Sequence, residues 1–310
     1  SLLQDSGRYG HHSMGITTGG PLDRHAFQWA NLLCENSKGA AAIEVAVGGL
    51  VLVSKVKTTL AITGADISLK INHRPALLWQ SHSINPGDQI ELGFARAGNR
   101  AYVAVAGGFK GEAILNSIAT VPREGLGGLY GDGAPLKVGD LLPCDSLGKQ
   151  ISSRSLWRLA ENLRPDYQAN SALLRVVLGY QQALFNALQK ELFFSSEYSV
   201  TKFSDRMGYR LKGAEIIPAT NGILSEGICL GAIQFPADGQ PIILLNDRQT
   251  MGGYPKIGSL LSLDIGKLAQ ISAGGTVRFE PISIDQAQDL LAADINYFKT
   301  TQSQLIKINN

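Results

Sequence analysis

The sequence predicts a mainly β protein with few helices. Short runs of β-branched and aliphatic residues, bounded by glycine or asparagine, recur along the 310 residues, and such runs form strands. In three places a tight-turn sequence stands directly before an apolar run: NPGDQIELG, KVGDLLPC and SAGGTVRFE. The chain also contains 35 glycines, which suits the many turns of sandwiches and barrels. We therefore expect β-sandwich or β-barrel domains.

The strands and the first helix can be placed in order. The predicted strands are GGLVLVS, TTLAITGA, AYVAVAGGF, LRVVLG, QPIILLND and GTVRFEPIS. The first helix is DRHAFQWANLLCEN, which follows Pro21 and places Phe27, Ala30 and Leu33 at helical spacing. An apolar face of this kind predicts a helix that packs on the first β-domain.

Three further segments show helical periodicity. RSLWRLAENL and QQALFNALQKEL resemble the first helix in their apolar spacing. The C-terminal AQDLLAADINYF places Leu291, Ile295 and Phe298 on one helical face. The sequence therefore predicts a C-terminal helix and two more helices near the middle of the chain.

Composition supports two folded domains and excludes several classes of protein. Hydrophobic residues make up 44% and charged residues 17%, which gives enough apolar material for a core and argues against disorder. A polar, turn-rich stretch over residues 146–170 suggests a boundary, so we expect domains at 1–150 and 151–310. The net charge of +2 indicates neither a nucleic-acid partner nor a membrane surface.

The cysteines and histidines do not form a recognisable site pattern. Cys34, Cys144 and Cys229 are isolated and odd in number, so neither a disulfide framework nor a zinc site is expected, and a reducing cytoplasm is the predicted location. No metal-ligand spacing occurs among the histidines, which we interpret as structural or exposed: His11, His12, His25, His73 and His82.

Neither a nucleotide loop nor a serine-hydrolase motif is present. The stretch GLGGLYGDG misses the G-x-G-x-x-G spacing by one residue, and no G-x-x-x-x-G-K-[ST] loop occurs. We interpret this stretch as a glycine-rich surface turn. There is also no G-x-S-x-G elbow, so a serine-hydrolase mechanism has no support.

The stretch SDRMGYRL permits a bland and a functional interpretation. In the bland one, Arg206 and Arg210 are exposed charges and Asp205 pairs with one of them. On a strand, however, Arg206, Gly208 and Arg210 share one face, with Tyr209 on the other. Two guanidinium groups flanking a glycine suit a carboxylate ligand, because each can donate two parallel hydrogen bonds.

A second polar stretch follows an apolar run. In DGQPIILLNDRQTMGGYPKIG, Asp247 and Gln249 come directly after the predicted strand, and Gly252 and Gly253 precede Tyr254. Polar side chains at a strand end beside flexible glycines are a common layout of ligand sites.

The first predicted helix carries one amide near its apolar face. Asn31 lies one turn after Phe27, and a buried amide requires hydrogen-bond partners. Asn31 either ties the helix to a neighbouring loop or presents its amide to a ligand, and its spacing favours the first role.

Taken together, the motifs resemble a known family. Seven motifs occur along nearly the whole chain in the order in which that family has them: QDSGRYG, GGPLDRHAFQWANLL, AIEVAVGG, ITGAD, YVAVAGGF, SDRMGYRL and LSEGICLGAIQFPADGQPIILLNDRQTMGGYP. The chain resembles the biotin-dependent carboxyltransferase family, also called allophanate hydrolase subunit 2. The C subunit of bacterial 5-oxoprolinase, the KipA-type antagonist of a sporulation kinase inhibitor, and part of urea carboxylase belong to this family.

The resemblance implies a fold, a partner and an activity. It implies two cyclophilin-like β-barrel domains and a smaller KipI-like partner, the B subunit of 5-oxoprolinase, acting with the A subunit. The leading function is ATP-dependent opening of 5-oxoproline to glutamate by an enzyme subunit that is inactive alone. One alternative is transfer of a carboxyl group from carboxybiotin to urea or a related amide. The other is a regulatory protein that binds a kinase inhibitor without catalysis.

The resemblance also implies site residues. Asp247, Arg206 and Asn31 match positions with a catalytic role, and Asp247 could accept a hydrogen bond from an amide N–H. The implied substrate-binding residues are Arg210, Tyr209, Gln249, Gly252, Gly253, Tyr254 and Lys267.

The chain departs from the family in ways that bear on cofactors. It has GGPLD where many members have a Ser-Gly or Cys-Gly pair, which removes any side-chain role at Gly19. It has no Met-Lys-Met biotin attachment site and no ATP-grasp pattern. We therefore expect any biotin to be carried by another protein, and we leave the ATP-binding chain of the complex open. No metal is implied.

Overall fold

The computed structural model describes residues 1–145 and 155–308 and confirms the mainly β fold. The strands are β1 (Leu2–Gln4), β2 (Ala42–Ala46), β3 (Gly48–Val53), β4 (Thr58–Ile71), β5 (Arg74–Ala76), β6 (Ser81–Ile84), β7 (Gln89–Val105), β8 (Leu156–Arg158), β9 (Ser171–Leu178), β10 (Tyr198–Val200), β11 (Gly208–Lys212), β12 (Glu226–Gly227), β13 (Ala232–Gln234), β14 (Ile242–Leu244), β15 (Met251–Gly252), β16 (Lys256–Leu260), β17 (Thr276–Ile282) and β18 (Ile306–Ile308). The α-helices are α1 (Arg24–Leu33), α2 (Ala187–Ser195), α3 (Asp264–Gln270) and α4 (Ile284–Gln302).

The chain divides into two compact units, and each unit is made of more than one chain segment. The first contains residues 1–8, 19–168 and 299–310, and the second contains residues 9–18 and 169–298. The predicted limit between residues 150 and 151 lies outside the described residues and stays a prediction.

The first unit is built on an antiparallel sheet with the order β1-β2-β7-β4-β5, in which β3 pairs with β7 and β6 pairs with β4. Strands β4 and β7 pair from Leu60 opposite Val105 to Ile71 opposite Ile90, with three shifts of register. Register shifts of this kind bend a strand and increase its twist. The apolar side chains of these strands form one buried cluster.

Helix α1 begins as the sequence predicts. The Asp23 side chain accepts a hydrogen bond from the Ala26 N–H at 3.0 Å, which caps the helix. The buried face of α1 packs in the first unit, where the Phe27 ring meets Tyr102 edge-on with centroids 5.9 Å apart. The Tyr102 hydroxyl also accepts from the Asp23 N–H at 2.8 Å, and Thr63 Oγ1 donates to Ala26 O in the helix at 2.6 Å. Packing and hydrogen bonds therefore hold α1 on the first sheet.

The second unit contains a closed barrel with the strand order β10-β11-β14-β13-β16-β9-β17. The barrel closes through antiparallel pairing of β10 with β17, while β17 and β9 run parallel. Aromatic rings pack around Phe193, whose ring is stacked on Phe279 with centroids 4.5 Å apart and meets Phe235 edge-on at 5.6 Å. A closed barrel has no free sheet edge, and this one has an aromatic core.

Two of the predicted helices differ in the structure. In RSLWRLAENL, the described residues form strand β8 and a 3₁₀ turn at Glu161–Leu163 instead of a helix, because Leu156–Arg158 pairs with β18. In QQALFNALQKEL, a 3₁₀ turn at Tyr180–Leu184 precedes α2. Asn186 separates them, because its side chain accepts from the Gln189 N–H at 2.9 Å and begins a new helix.

The C-terminal helix is confirmed as α4. Within its predicted apolar face Phe298 is buried, Leu291 is partly buried and Ile295 is exposed. Among the described residues, no helix combines the length and the apolar character that crossing a bilayer requires.

Two loop predictions need correction. KVGDLLPC does form a turn, since the Asp140 N–H donates to Lys137 O at 3.2 Å, but the described residues after it, 141–145, form no strand and Leu141 is exposed. GLGGLYGDG is at the surface only in part, since Tyr130 is exposed while Gly127 is buried. Gly127 has φ of 71°, and a Cβ there would lie 2.1 Å from Ala119 O. Glycine is required at Gly127 for conformation and for space.

Candidate functional site

The centre of the candidate site in the second unit is the ion pair between Arg206 and Asp247. Arg206 Nε donates to Asp247 Oδ2 and Arg206 Nη2 donates to Oδ1, both at 2.9 Å. The side chains are 12% and 4% exposed. This parallel, two-bond geometry is the strongest arrangement of a guanidinium with a carboxylate.

Backbone pairing places both groups. Beyond β11 and β14 the two segments stay paired, because the Leu245 N–H donates to Met207 O at 2.9 Å and the Asp247 N–H donates to Arg206 O at 3.0 Å. Asp205 does not pair with an arginine in the described contacts. Its Oδ1 instead accepts from the Met207 and Gly208 N–H groups at 2.8 and 3.1 Å, which shapes the turn into β11.

The predicted arginine fork does not form. Arg206 precedes β11 and is bonded to Asp247. Gly208 and Arg210 do share a face of β11, as predicted, but Arg210 is exposed and lines a different cavity of about 440 Å³ with Lys212, Glu215 and Asp238. The two guanidinium groups therefore have different surroundings within the second unit.

Two other predicted binding residues make structural contacts. Tyr209 points to the opposite face of β11, is 2% exposed, and donates from its hydroxyl to Ala269 O at 3.4 Å. Lys267 pairs with Asp264, one turn earlier in α3, at 2.8 Å. The geometry gives both side chains a role in holding the barrel and α3.

Arg248, which the sequence analysis missed, lies next to the ion pair in the chain and is buried. Its Nε donates to Ile228 O at 3.1 Å and its Nη1 to Leu245 O at 3.2 Å. Burial lowers the pKa of the Arg248 guanidinium. No local pattern in the sequence distinguishes a buried arginine from an exposed one.

The segment 9–18 contributes to the same region of the second unit. Thr17 Oγ1 donates to Asn246 O at 2.9 Å. Burial, and then the positive charge of Arg248, lower the pKa of His12, so near neutral pH the imidazole is held in its neutral form. His12 therefore lies near the charged Arg248 guanidinium, although the spacing of the histidines in the sequence indicates no metal site.

Gly252 lies in a two-stranded ribbon, β12–β15, opposite Glu226, and Gly253 directly follows the ribbon. The Ile223 N–H donates to Gly253 O at 2.8 Å. A Cβ on Gly253 would lie 2.9 Å from Ile223 O, so the ribbon depends on glycine for close approach. Next to it along the chain, Tyr254 is 45% exposed.

A polar cluster anchors the ribbon to the barrel. Lys256 pairs with Glu226, and Gln181 donates from Nε2 to Glu226 Oε1 at 2.6 Å. Burial opposes the charge of Glu226, but hydrogen bonds from Lys256 and Tyr180 outweigh it and lower the pKa of this carboxyl. Gln249, one of the predicted binding residues, is half-buried in the loop before the ribbon.

Asn31 lies in the first unit, fully buried on α1. Its Nδ2 donates to Ala40 O at 2.8 Å and to Phe27 O at 3.4 Å, and its Oδ1 accepts from Asn36 Nδ2 at 3.0 Å. These contacts are those expected of an amide that ties the helix to the following loop.

The contacts of Asn31 lead to a prediction about stability. We expect Asn31→Ala to lower the free energy of unfolding by about 1–3 kcal/mol, because Ala40 O and the Asn36 amide lose a buried partner. Chemical denaturation measures this, with the exposed Asn296→Ala as the matched control. If Asn31→Ala unfolds like the control while turnover is lost, Asn31 acts on the substrate and not on the fold.

Among the described residues, no group of three or more His, Cys, Asp or Glu is arranged to hold a metal ion. The site offers hydrogen-bond donors and carboxylates, and the closely packed β12–β15 ribbon lies beside them.

Comparisons with known proteins agree over nearly the whole chain. The family model described as carboxyltransferase domain, subdomain A and B, matches residues 14–281. The 5-oxoprolinase C subunit of Haemophilus influenzae is 32% identical over 291 residues, which cover 94% of this chain and 91% of that protein. The protein of the same name from Escherichia coli is 32% identical over 305 residues, covering 96% and 94%.

A solved structure with the same fold belongs to a much longer protein. The Kluyveromyces lactis urea carboxylase superposes on 99% of this chain with a TM-score of 0.89 and 25% identity. The match covers 29% of that protein's chain. The fold of the present chain therefore also occurs as one part of a larger enzyme.

Proposed function

Because the chain belongs to the carboxyltransferase domain family, subdomain A and B, we propose that it is the C subunit of an ATP-dependent 5-oxoprolinase. In this role it acts with a smaller KipI-like B subunit and with the A subunit to open 5-oxoproline to glutamate. The chain is inactive alone and works in the cytoplasm.

The observation that carries the proposal is the extent of the match to separate subunits. Two proteins named as the C subunit of 5-oxoprolinase correspond to this chain over more than nine-tenths of their own length. A chain of this size that corresponds to a whole subunit supports a role in a complex of several chains.

The geometry supports a site for a small polar substrate. We assign Asp247 and Arg206 to the chemistry, because a buried carboxylate and guanidinium can hold an amide N–H and a carboxylate or carbonyl oxygen. Gln249, the ribbon residue Gly252, and Gly253 and Tyr254 after it form the wall. In this proposal ATP is consumed by the complex, and this chain contributes the amide site.

One observation favours a second candidate. The superposition on urea carboxylase and the name of the family model support transfer of a carboxyl group to urea or a related amide. In that case biotin arrives on another protein.

Reconstitution tests the proposal. We expect the chain co-purified with the A and B subunits to release glutamate from 5-oxoproline with ATP, and each omission to abolish this. The control replaces 5-oxoproline with urea and supplies a carboxybiotin carrier. No glutamate from the complete complex, or full activity when the A subunit is left out, contradicts the proposal. Carboxylated urea in the control supports the second candidate, and inactivity in both assays favours a regulatory role.

A further inference from the structure

A buried amide nitrogen of the second unit has no hydrogen-bond partner in the part of the chain that the structure describes. Gln234, the last residue of β13, is 1% exposed. Its Nε2 is buried and has no hydrogen-bond partner among the described residues. A buried donor without a partner is costly, and such groups in folded proteins need an explanation, of which a ligand is one.

The amide lies beneath the β12–β15 ribbon. A Cβ on Gly252 would lie 3.0 Å from Gln234 Nε2 and 2.5 Å from Ile228 Cδ1. Any larger residue at Gly252 therefore fills the space beside the amide. Glycine keeps the ribbon against Gln234 without a side chain between them.

An apolar cluster lies on one side of the amide, and an oppositely charged pair of side chains lies on the other. Ala232 lies two residues earlier on the same face of β13 and packs in a small apolar cluster with Ile228 and Leu244. Lys256 lies opposite Gln234 in the sheet, and its charge is matched by Glu226. Because Glu226 offsets the charge of Lys256, this pair does not favour an anion here, and we expect a neutral acceptor.

We propose that Gln234 is a ligand-binding residue whose Nε2 donates to the carbonyl oxygen of a small amide held under the β12–β15 ribbon. The ligand class rests on the proposed function, while the site itself rests on the amide and its cover. Gln234 thereby supplies the donor for the carbonyl, and the Arg206–Asp247 pair remains the group assigned to the chemistry.

The β12–β15 ribbon, which covers the amide, can open while the barrel strands stay paired. The ribbon contains only two residue pairs, Glu226 opposite Gly252 and Gly227 opposite Met251, and it lies outside the closed barrel. Isolated two-stranded ribbons are only marginally stable. Lifting the ribbon breaks the contacts of Glu226 with Lys256 and Gln181 while the strand pairing of the barrel is kept, and it exposes the amide to a ligand.

The first test separates binding from stability. We expect Gln234→Met, which keeps the shape of the side chain and removes its amide, to leave the Tm of the full chain unchanged or raise it. Gln240→Met is the matched control and should lower Tm, because the Gln240 amide is bonded to the Gly213 backbone at 2.8 and 3.3 Å. A fall in Tm for Gln234→Met as large as the control overturns the inference.

The second test measures the ligand. Thermal shifts of the chain and of its complex are recorded with 2-pyrrolidinone, urea and 5-oxoproline, with acetate as the carboxylate control. We expect the amides to stabilise the wild type and the Gln240→Met variant, and Gln234→Met to lose the response. Equal responses in Gln234→Met and wild type, no response to any amide, or a response to acetate alone overturns the inference.

Kinetics distinguish this inference from the proposed function. In an active complex, Gln234→Met should raise KM by about tenfold, which corresponds to about 1.4 kcal/mol. Gly252→Ala should also raise KM, because its methyl group occupies the space beside the amide. An active complex with unchanged KM in both variants overturns the role of Gln234 and leaves the proposed function intact. An inactive complex whose amide response still depends on Gln234 overturns the proposed function alone.

Discussion

Alanine at Arg206 or at Asp247 is expected to lower the free energy of unfolding by about 3–5 kcal/mol, because each change leaves a buried charge without its main partner. The two side chains are 12% and 4% exposed and are joined by two hydrogen bonds of 2.9 Å. This is a large share of the stability of an ordinary domain.

The double variant Arg206→Met/Asp247→Leu should lose much less stability. It removes both charges together, and buried ion pairs can often be replaced by apolar side chains at little cost. Urea denaturation of the two single variants and the double variant gives the coupling energy. The exposed pair Arg278–Glu197, 64% and 47% exposed, is the control, since Arg278→Ala should cost less than about 1 kcal/mol.

The same variants test the catalytic assignment. Because any replacement of one partner destabilises the unit, loss of activity in a single variant does not separate folding from chemistry. The stable double variant does separate them, and we expect its turnover to fall by about a hundredfold or more in the reconstituted complex. Wild-type turnover in the double variant would end the assignment of Arg206 and Asp247 to the chemistry.

Local patterns predicted the elements whose apolar residues follow a clear spacing. Helix α1 was recognised because it follows Pro21 and its apolar residues recur at helical spacing, and the structure buries that face. The long apolar runs became strands for the same reason. Leu156–Arg158 was not recognised, because the apolar spacing of its segment indicates a helix and its pairing with Ile306–Ile308 overrides that spacing.

The site shows the same limit. The polar stretch around Asp247 and the glycines after it stood out in the sequence, but the partner of Asp247 is 41 positions away. Gln234 was missed because a glutamine in an apolar strand carries no local sign of being unpaired. Arg210 and Tyr209 were placed by alternation on opposite faces correctly, yet alternation does not say which face meets a ligand. Tertiary burial decides these roles.

A second large effect is expected at Asp264, whose carboxylate is completely buried. It accepts from Arg175 Nε at 2.8 Å and Nη2 at 2.6 Å, and from the Arg175 N–H at 2.8 Å. Asp264→Asn keeps the shape but removes the counter-charge to which Arg175 is hydrogen-bonded. We expect it to lower the free energy of unfolding by about 3–5 kcal/mol.

The lowered pKa of Asp264 also predicts the direction in which stability changes with pH. Burial opposes the charge of Asp264, but the hydrogen bonds from Arg175 and Lys267 outweigh it and hold the pKa of this carboxyl below its ordinary value. The stability from this group is therefore present above the unfolded-state pKa of about 3.9 and is lost as the pH falls through the lower folded-state pKa. Urea denaturation between pH 7 and pH 3 should show a steeper acid loss in the wild type than in Asp264→Asn, with the exposed Glu197→Gln as control. Parallel pH profiles for wild type and Asp264→Asn would mean that the Asp264 carboxylate does not stabilise the barrel through its charge.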